Sequence, residues 1–216
     1  LRLLRVVRPA DRQGPAPGLP AGNHVRCLQA AGGTAITGEH LTPGPRVALY
    51  RWLCLGIGIV GFGLDLLVKN IVLATLDPQH PVPLLGGFVT LQLIRNPGAA
   101  FSMGENFTVV LTIIAIAALV TVLAVIVPRI RHIGWAVTIG FLLAGIAGNL
   151  TDRLFREPGP FRGHVVDFIQ LPNFAIFNVA DMFITAAAVL GIWLSMITQV
   201  SFNGTRLKEP VEATDG

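Results

Sequence analysis

Four long apolar runs divide the chain, and polar segments separate them. The runs cover residues 52–73, 107–127, 133–150 and 174–199. A membrane-spanning helix needs about 20 largely apolar residues, and each run is near that length and longer than a buried strand. Pro128, in the stretch "PRIRH", ends the second run where a helix should end. The pattern therefore predicts an all-α integral membrane protein with four transmembrane helices.

The segment between the first two runs is too irregular to span a membrane. Within it, two sets of residues alternate, Phe88, Thr90, Gln92 and Ile94 against Val89, Leu91, Leu93 and Arg95. A period of two is typical of a β-strand. We expect a small β segment over about 82–105 that lies on the outer face of the membrane.

Composition supports a membrane protein. The chain has 216 residues, of which 52% are hydrophobic and only 13% charged, and its mean hydropathy is +0.66. These values are too apolar for an ordinary soluble domain. The net charge of +4 would fit nucleic-acid binding, but the arginines flank apolar runs and have no interleaved aromatic residues. We therefore expect no nucleic-acid partner.

The basic residues also predict an orientation. They concentrate in residues 1–48, in the connection after the second run and in residues 201–216. Cytoplasmic segments carry an excess of Lys and Arg, so four crossings would leave both termini in the cytoplasm. Residues 1–48 are rich in Pro, Gly and Arg without a helical or strand period, which predicts a disordered arm. Residues 49–200 form the membrane domain, and residues 201–216 a polar cytoplasmic tail.

Polar side chains cluster near the predicted outer ends of the helices. They are Asp65, Lys69, Asn149, Asp152, Arg153, Asp167, Asn178 and Asp181. Spacings of three or four residues place the members of each run on one helix face. A carboxylate inside a spanning segment costs about 2.5–3.5 kcal/mol on insertion scales, so such residues are functional candidates. If Asp167 and Asp181 face each other in a dry pocket, they would share a proton and act as base and acid, as in aspartic proteases.

Several of these residues also have structural explanations. Asp65 and Lys69 could form an interface ion pair in which Lys69 extends toward water. Asp152 could join a salt-bridge cluster, and Asp167 could pair with a nearby arginine; the neighbouring arginines are Arg153, Arg156 and Arg162.

Asn178 and Asp181, near the start of the fourth run, also have structural explanations. Asn178 could form an ordinary interhelical hydrogen bond. Asp181 could be an acid favoured by the helix dipole. A helix beginning near residue 174 would place Asp181 about two turns in, beyond the reach of that effect.

Two other functions fit buried acids. A small proton- or cation-coupled transporter would use them to bind its ion, and it should place them at the membrane midplane. An enzyme acting on lipid head groups would instead hold Mg²⁺ through oxygen ligands. Its ligands would be Asp65, Asp152, Asp167 and Asp181.

Five short motifs follow one another from Asp65 to Asp181. They are "LDLLVKN" with Asp65 and Lys69, "RNPGAAFSMG" with Asn96, Gly98 and Ala100, "GNLTDR" with Asn149, Asp152 and Arg153, "VVDFI" with Asp167, and "FNVAD" with Asn178 and Asp181. In this order they resemble the lipoprotein signal peptidases, the type II signal peptidase family of bacteria. Any one motif is weak, whereas five in sequence are specific.

The resemblance implies an intramembrane aspartyl endopeptidase of the bacterial cytoplasmic membrane, with an extracytoplasmic β-cradle and its active site near the outer face. Such an enzyme cuts diacylglyceryl-modified prolipoproteins just before the lipidated cysteine. Asp167 and Asp181 would be catalytic. The expected substrate-binding residues are Asn96, Gly98, Ala100, Asn149, Arg153 and Asn178, and the expected supporting residues are Asp65, Lys69 and Asp152.

The resemblance also implies partners, and the sequence departs from the family pattern at two places. The resemblance implies lipidated prolipoproteins and membrane lipid as partners, a monomer, and no metal or other cofactor. One departure is the arm of residues 1–48, which is outside the family pattern and is assigned no function. The other is the connection "LFREPGPFRGH" before the Asp167 motif, which is longer than the family's usual link. This difference bears on the rim of the pocket.

Overall fold

The computed structural model describes residues 45–98, 105–202 and 204–205. The predicted arm over most of its length, most of the predicted tail, and Ala100 lie outside the described residues. The sequence predictions for those segments are not tested by the fold.

Four helices form the body of the described chain. Helix α1 is Pro45–Thr75, α2 is Glu105–Thr121, α3 is Ile133–Phe155 and α4 is Val179–Ile192. A π-helical turn and a 3-10 turn extend α2 to Arg129, and a π-helical turn extends α4 to Ile197. With these extensions, all four are long and apolar enough to cross a membrane. The prediction of four spanning helices is therefore confirmed.

A three-stranded antiparallel sheet accompanies the helices. Strand β1 is Val82–Leu84, β2 is Val89–Asn96 and β3 is Val165–Gln170, in the order β1-β2-β3. Strand β2 confirms the strand predicted from the alternation before α2. Strand β3 was not predicted, and in it Asp167 pairs with Ile94 of β2. The sheet thus joins the segment before α2 to the segment before α4.

Helix α3 lies between α1 and α4, and small residues allow the close approach. A Cβ added at Gly140 would lie 2.8 Å from Cβ of Ile57 on α1. One added at Gly148 would overlap the carboxylate of Asp65 and lie 3.0 Å from Cβ of Ala180 on α4. Glycine at these positions therefore sets how closely the three helices pack, which in turn brings their polar ends together.

The ends of two helices differ from the predicted ones. Helix α3 continues past residue 150 to Phe155, so Asp152 and Arg153 lie inside its last turns rather than at its exit. Helix α4 begins at Val179 and not near residue 174. The reason is that Phe177 forms a β-bridge with Ile169, which holds the preceding backbone extended.

Candidate active site

Asp167 lies on β3 with its side chain buried. It is 3% exposed. Asn96 Nδ2, on the neighbouring strand, donates to Oδ2 at 2.8 Å, and Asn178 Nδ2 donates to Oδ1 at 2.6 Å. Burial raises the pKa of Asp167 to about 6; the two amide donors oppose this rise and the charge of Asp181 adds to it. A carboxyl with this pKa can hold a proton near neutral pH.

Asp181 lies in the first turn of α4. Asn178 is the N-cap residue, and its Oδ1 accepts from Asp181 N at 3.1 Å while Asn178 N donates to Asp181 Oδ2 at 3.2 Å. This reciprocal pair is a capping box. The expectation that Asp181 lies two turns into the helix is therefore wrong, and the N-terminal position does favour its negative charge.

Two asparagines connect the acids to each other and to the helices. Asn178 donates from its side chain to Asp167 and from its backbone to Asp181. Asn149, on α3, donates to Asp181 Oδ1 at 2.7 Å and accepts from Asn178 Nδ2 at 3.2 Å. The structure thus brings Asn96, Asn149, Asn178, Asp167 and Asp181 into one hydrogen-bonded group.

Lys69 contacts this hydrogen-bonded group through Asn149. Its Nζ lies 2.8 Å from a carboxylate oxygen of Asp65 and 2.8 Å from one of Asp152, and all three side chains are fully buried. The same Nζ donates to Asn149 Oδ1 at 3.2 Å. Lys69 therefore does not extend toward water; a buried ammonium needs charged partners, and here it has two.

The two acids beside Lys69 also bind backbone groups of other elements. Asp65 accepts from Ala180 N at 2.8 Å, and Asp152 accepts from Val166 N at 3.3 Å. Asp152 also pairs with Arg156, one helical turn on, instead of with Arg153 or Arg162. These contacts link α1, α3, β3 and the start of α4. The supporting role of Asp65, Lys69 and Asp152 stays a prediction.

The guanidinium of Arg153 is close enough to the acids to interact with them electrostatically. The charges of Asp167, Asp152 and Asp181 all act on its guanidinium. Its Nη1 is buried and has no hydrogen-bond partner among the described residues. A buried donor of this kind is costly unless a ligand completes it.

Gly98 shapes the edge of the site. Its φ is +113°, a conformation that favours glycine, and its N–H donates to Asn96 Oδ1 at 2.8 Å. This turn orients the Asn96 amide so that its NH₂ points at Asp167.

An apolar cavity of about 880 Å³ adjoins Asp181. It is lined by residues of α4, among them Met182, Thr185 and Val189, and by Phe174 from the segment before it. Its volume is within the range of ligand pockets, about 300–1,000 Å³. The polar group therefore borders a cavity that suits an apolar ligand.

The four acids do not form a common oxygen cage. Asp65 and Asp152 both contact Lys69, while Asp167 and Asp181 accept from asparagine amides. Among the described residues, no three or more His, Cys, Asp or Glu side chains are grouped to hold a metal ion. The arrangement differs from the four-acid magnesium site considered above.

Comparison with known proteins gives consistent relatives. Residues 57–197 match the family model for Signal peptidase (SPase) II. A lipoprotein signal peptidase of Streptomyces griseus subsp. griseus is 45% identical over 141 residues, which is 65% of this chain and 71% of the relative. One of Mycobacterium tuberculosis (strain ATCC 25618 / H37Rv) is 40% identical over 168 residues, 78% of this chain and 80% of the relative.

A solved structure is also similar. It is a bacterial membrane enzyme determined by the in meso method at 1.9 Å resolution, with a TM-score of 0.55 and 27% identity over 67% of this chain and 92% of that one. The family match covers most of the described residues, from α1 to the end of the fourth spanning helix. The chain therefore belongs to the signal peptidase II family of membrane peptidases.

Proposed function

We propose that this protein is an intramembrane aspartyl endopeptidase that removes the signal peptides of diacylglyceryl-modified prolipoproteins, cutting just before the lipidated cysteine. The observation that carries the proposal is the pair of acids, Asp167 and Asp181, joined through Asn178 inside a family of signal peptidases. The names of the relatives supply the lipoprotein substrate.

The hydrogen bonds support different roles for the two acids. Asp167, whose pKa burial raises to about 6, is the group that holds the shared proton. Asp181 accepts from two N–H donors at the start of a helix, where negative charge is favoured. Asp181 is therefore the base and Asp167 the acid in the resting enzyme.

Amide hydrolysis then follows with protons balanced. Asp181 takes a proton from water as the water oxygen attacks the scissile carbonyl, and Asp167 donates its proton to the developing oxyanion. In the second step Asp181 returns a proton to the leaving nitrogen while Asp167 recovers its own, and the C–N bond breaks. Both acids end in their starting states.

The surrounding groups suit substrate binding. Nη1 of Arg153, which has no hydrogen-bond partner among the residues that the structure describes, would donate to a backbone carbonyl of the substrate near the cleaved bond. Asn96 ends β2 and Gly98 follows it, and with Ala100 they remain the residues expected to border the peptide. The apolar cavity beside Asp181 has room for the apolar part of a lipidated precursor.

The proposal includes an orientation and a monomer. Both termini lie in the cytoplasm, as the basic segments indicate, and the sheet and acids lie near the outer face. Both acids come from one chain, so no partner subunit is required. The position of the acids at helix ends, rather than at the midplane, favours a peptidase over an ion-coupled transporter.

Conservative substitution of either acid tests the proposal. Asp167→Asn and Asp181→Asn should each lower the rate of cleavage of a lipidated precursor by at least about 10²–10⁴-fold, the usual contribution of acid–base catalysis. The purified protein, reconstituted in lipid, is assayed by the size shift of the precursor. An unlipidated precursor should stay uncut.

Asp77→Asn is the matched control, because Asp77 is 56% exposed and its side-chain bonds go to His80 and the backbone of Gln79. It should cleave at the wild-type rate. Activity should also persist with a metal chelator and with a thiol reagent. Substantial cleavage by either asparagine variant would refute the aspartyl mechanism.

A further inference from the structure

A second cavity lies on the other side of β3 from the acids. Its volume is about 240 Å³, and it is bordered by Leu73, Arg95, Phe155, Arg156, Glu157 and His164. Val166 also borders it, and successive residues of a strand point to opposite faces, so Asp167 faces away from it. The cavity is therefore separate from the candidate active site.

The cavity is bordered by polar nitrogens that hydrogen bonds within the described part of the chain leave unused. Arg156 has five N–H donors, and hydrogen bonds to other described residues, Asp152 and Asn70, occupy two of its nitrogens. His164 Nε2 is buried and has no hydrogen-bond partner among the described residues. These groups are placed to bind an anion.

Arg95 adds a cation that is only weakly neutralised. Its Nη1 lies 3.4 Å from Glu157, and the two side chains are 54% and 86% exposed. Exposed pairs of this kind contribute at most about 1 kcal/mol, so Glu157 can turn outward when an anion enters. Arginine is well suited to phosphate because its planar fork donates two parallel hydrogen bonds.

The position of the cavity indicates where its anion comes from. It lies at the ends of two spanning helices, bordered by Leu73 near the end of α1 and by Phe155, the last residue of α3. Phe155 is 80% exposed, as expected where a helix leaves hydrocarbon. Cationic donors beside an exposed apolar side chain match the boundary between lipid head groups and acyl chains.

The orientation rule does not account for these two arginines. Arg95 and Arg156 lie on the side predicted to face outward, where the orientation rule expects few basic residues. Arg156, Glu157 and His164 belong to "LFREPGPFRGH", the connection that is longer than the family's usual link. A binding role accounts for both features.

We propose that this cavity binds the phosphate of an anionic phospholipid from the surrounding membrane. Its small volume, below the usual range for drug-sized ligands, admits a head group but not acyl chains, which would lie outside against Phe155 and Leu73. Basic pockets beside spanning helices bind lipid head groups by this combination of contacts. The bound lipid would brace the long connection before β3.

The test uses the purified full-length protein in detergent, titrated with phosphatidylglycerol and followed by native mass spectrometry. Arg95→Gln and His164→Ala should each weaken lipid retention by about tenfold, which corresponds to about 1.4 kcal/mol. Arg162→Gln is the matched control, because it removes an exposed arginine of the same connection that does not border the cavity. It should retain lipid as the wild type does. Thermal unfolding in lipid-free detergent checks that each variant is folded.

Two further probes separate the possible anions. Phosphatidylcholine, which has no net charge, should be retained less well than phosphatidylglycerol. Inorganic phosphate should not displace the lipid at comparable concentration. The proposal is overturned if the control Arg162→Gln loses as much lipid as Arg95→Gln and His164→Ala do. It is also overturned if Arg95→Gln and His164→Ala retain the lipid fully, or if inorganic phosphate competes as well as the lipid does.

Discussion

Asp167 and Asp181 receive their hydrogen bonds from different kinds of donor. Two side-chain amides, those of Asn96 and Asn178, donate to Asp167, whereas Asp181 accepts from the Asn149 amide and from a backbone N–H. Side-chain amides can be altered by substitution while the backbone donor stays. Substitution can therefore remove both of these donors to Asp167, whereas Asp181 would keep its backbone donor.

Removing the Asn96 amide should shift the pH dependence of cleavage. Its hydrogen bond stabilises the ionised form of Asp167 and so lowers the pKa. Asn96→Ala should raise that pKa, so Asp167 keeps its proton to higher pH. Since the proposed mechanism needs the protonated form, we expect the alkaline limb of kcat/KM near pH 6 in the wild type, where burial places the pKa of Asp167. In Asn96→Ala this limb should move upward by about one pH unit.

The measurement is kcat/KM for a lipidated precursor as a function of pH. The wild type and the variant are compared by the pH at which the alkaline limb falls, and not by their absolute rates. Gln92→Ala is the control, since it alters another amide of β2 that is not bonded to Asp167. Its profile should coincide with the wild type. An unshifted limb in Asn96→Ala would mean that Asp167 is not the titrating acid.

The spacing of polar residues in the sequence predicted which residues would lie close together, but it did not predict the contacts that each of them makes. Most of the set, such as Asn149, Asn178 and Asp181, was expected to converge because these residues lie near one end of the predicted helices, whereas Asp167 lies on β3. The capping role of Asn178 was missed, although Asn178 and Asp181 are spaced as the ends of a capping box are. The burial of Lys69 was also missed, because a single i,i+4 carboxylate does not reveal that Asp152, distant in sequence, lies on the other side.

At the level of elements, Gly148 of α3 controls how three helices meet. A Cβ there would overlap Asp65 of α1 and crowd Ala180 of α4. Gly148→Ala should therefore push apart the helices that carry the buried ion pairs, lowering the free energy of unfolding by about 1–3 kcal/mol. Cleavage activity should fall as well, because Asn149 is the next residue.

Gly56→Ala is the matched control for this prediction. Gly56 lies in α1, and a Cβ there would meet nothing within 4 Å. Alanine is the better helix former by about 1 kcal/mol, so this variant should be as stable as the wild type or more so. Thermal unfolding in detergent compares the two. Equal stability of both variants would contradict a packing role for Gly148.

The elements also differ in how well the sequence revealed them. The helices and β2 have clear periods and were predicted. Strand β3 was not, because its first four residues, Val165–Phe168, are all buried and so show no alternation of apolar and polar residues. The same β-pairing continues to Phe177 and delays the start of α4. Long-range strand pairing was the information that local pattern lacked.

At the scale of the whole molecule, the surfaces of the helices are apolar where a soluble protein would be polar. Large side chains such as Ile59, Val60 and Val189 are 70%, 72% and 61% exposed. Such surfaces are stable only against hydrocarbon. The polar group lies at the ends of α1 and α3 and the start of α4, so the direction of insertion decides which compartment it faces.

That direction can be read from the chain's own cysteines. The sequence has two, Cys27 and Cys54, and Cys54 lies within α1 at 0% exposure, so it should not react. With the first residues in the cytoplasm, a membrane-impermeant maleimide should label Cys27 only after cells are permeabilised. Cys27→Ser should abolish that labelling.

In this background, Gln79→Cys, on an exposed loop after α1, should react in intact spheroplasts, because the loop follows an odd number of crossings. Labelling of Cys27 in intact spheroplasts, with Gln79→Cys protected, would place Asp167 and Asp181 on the cytoplasmic side, where translocated precursors could not reach them.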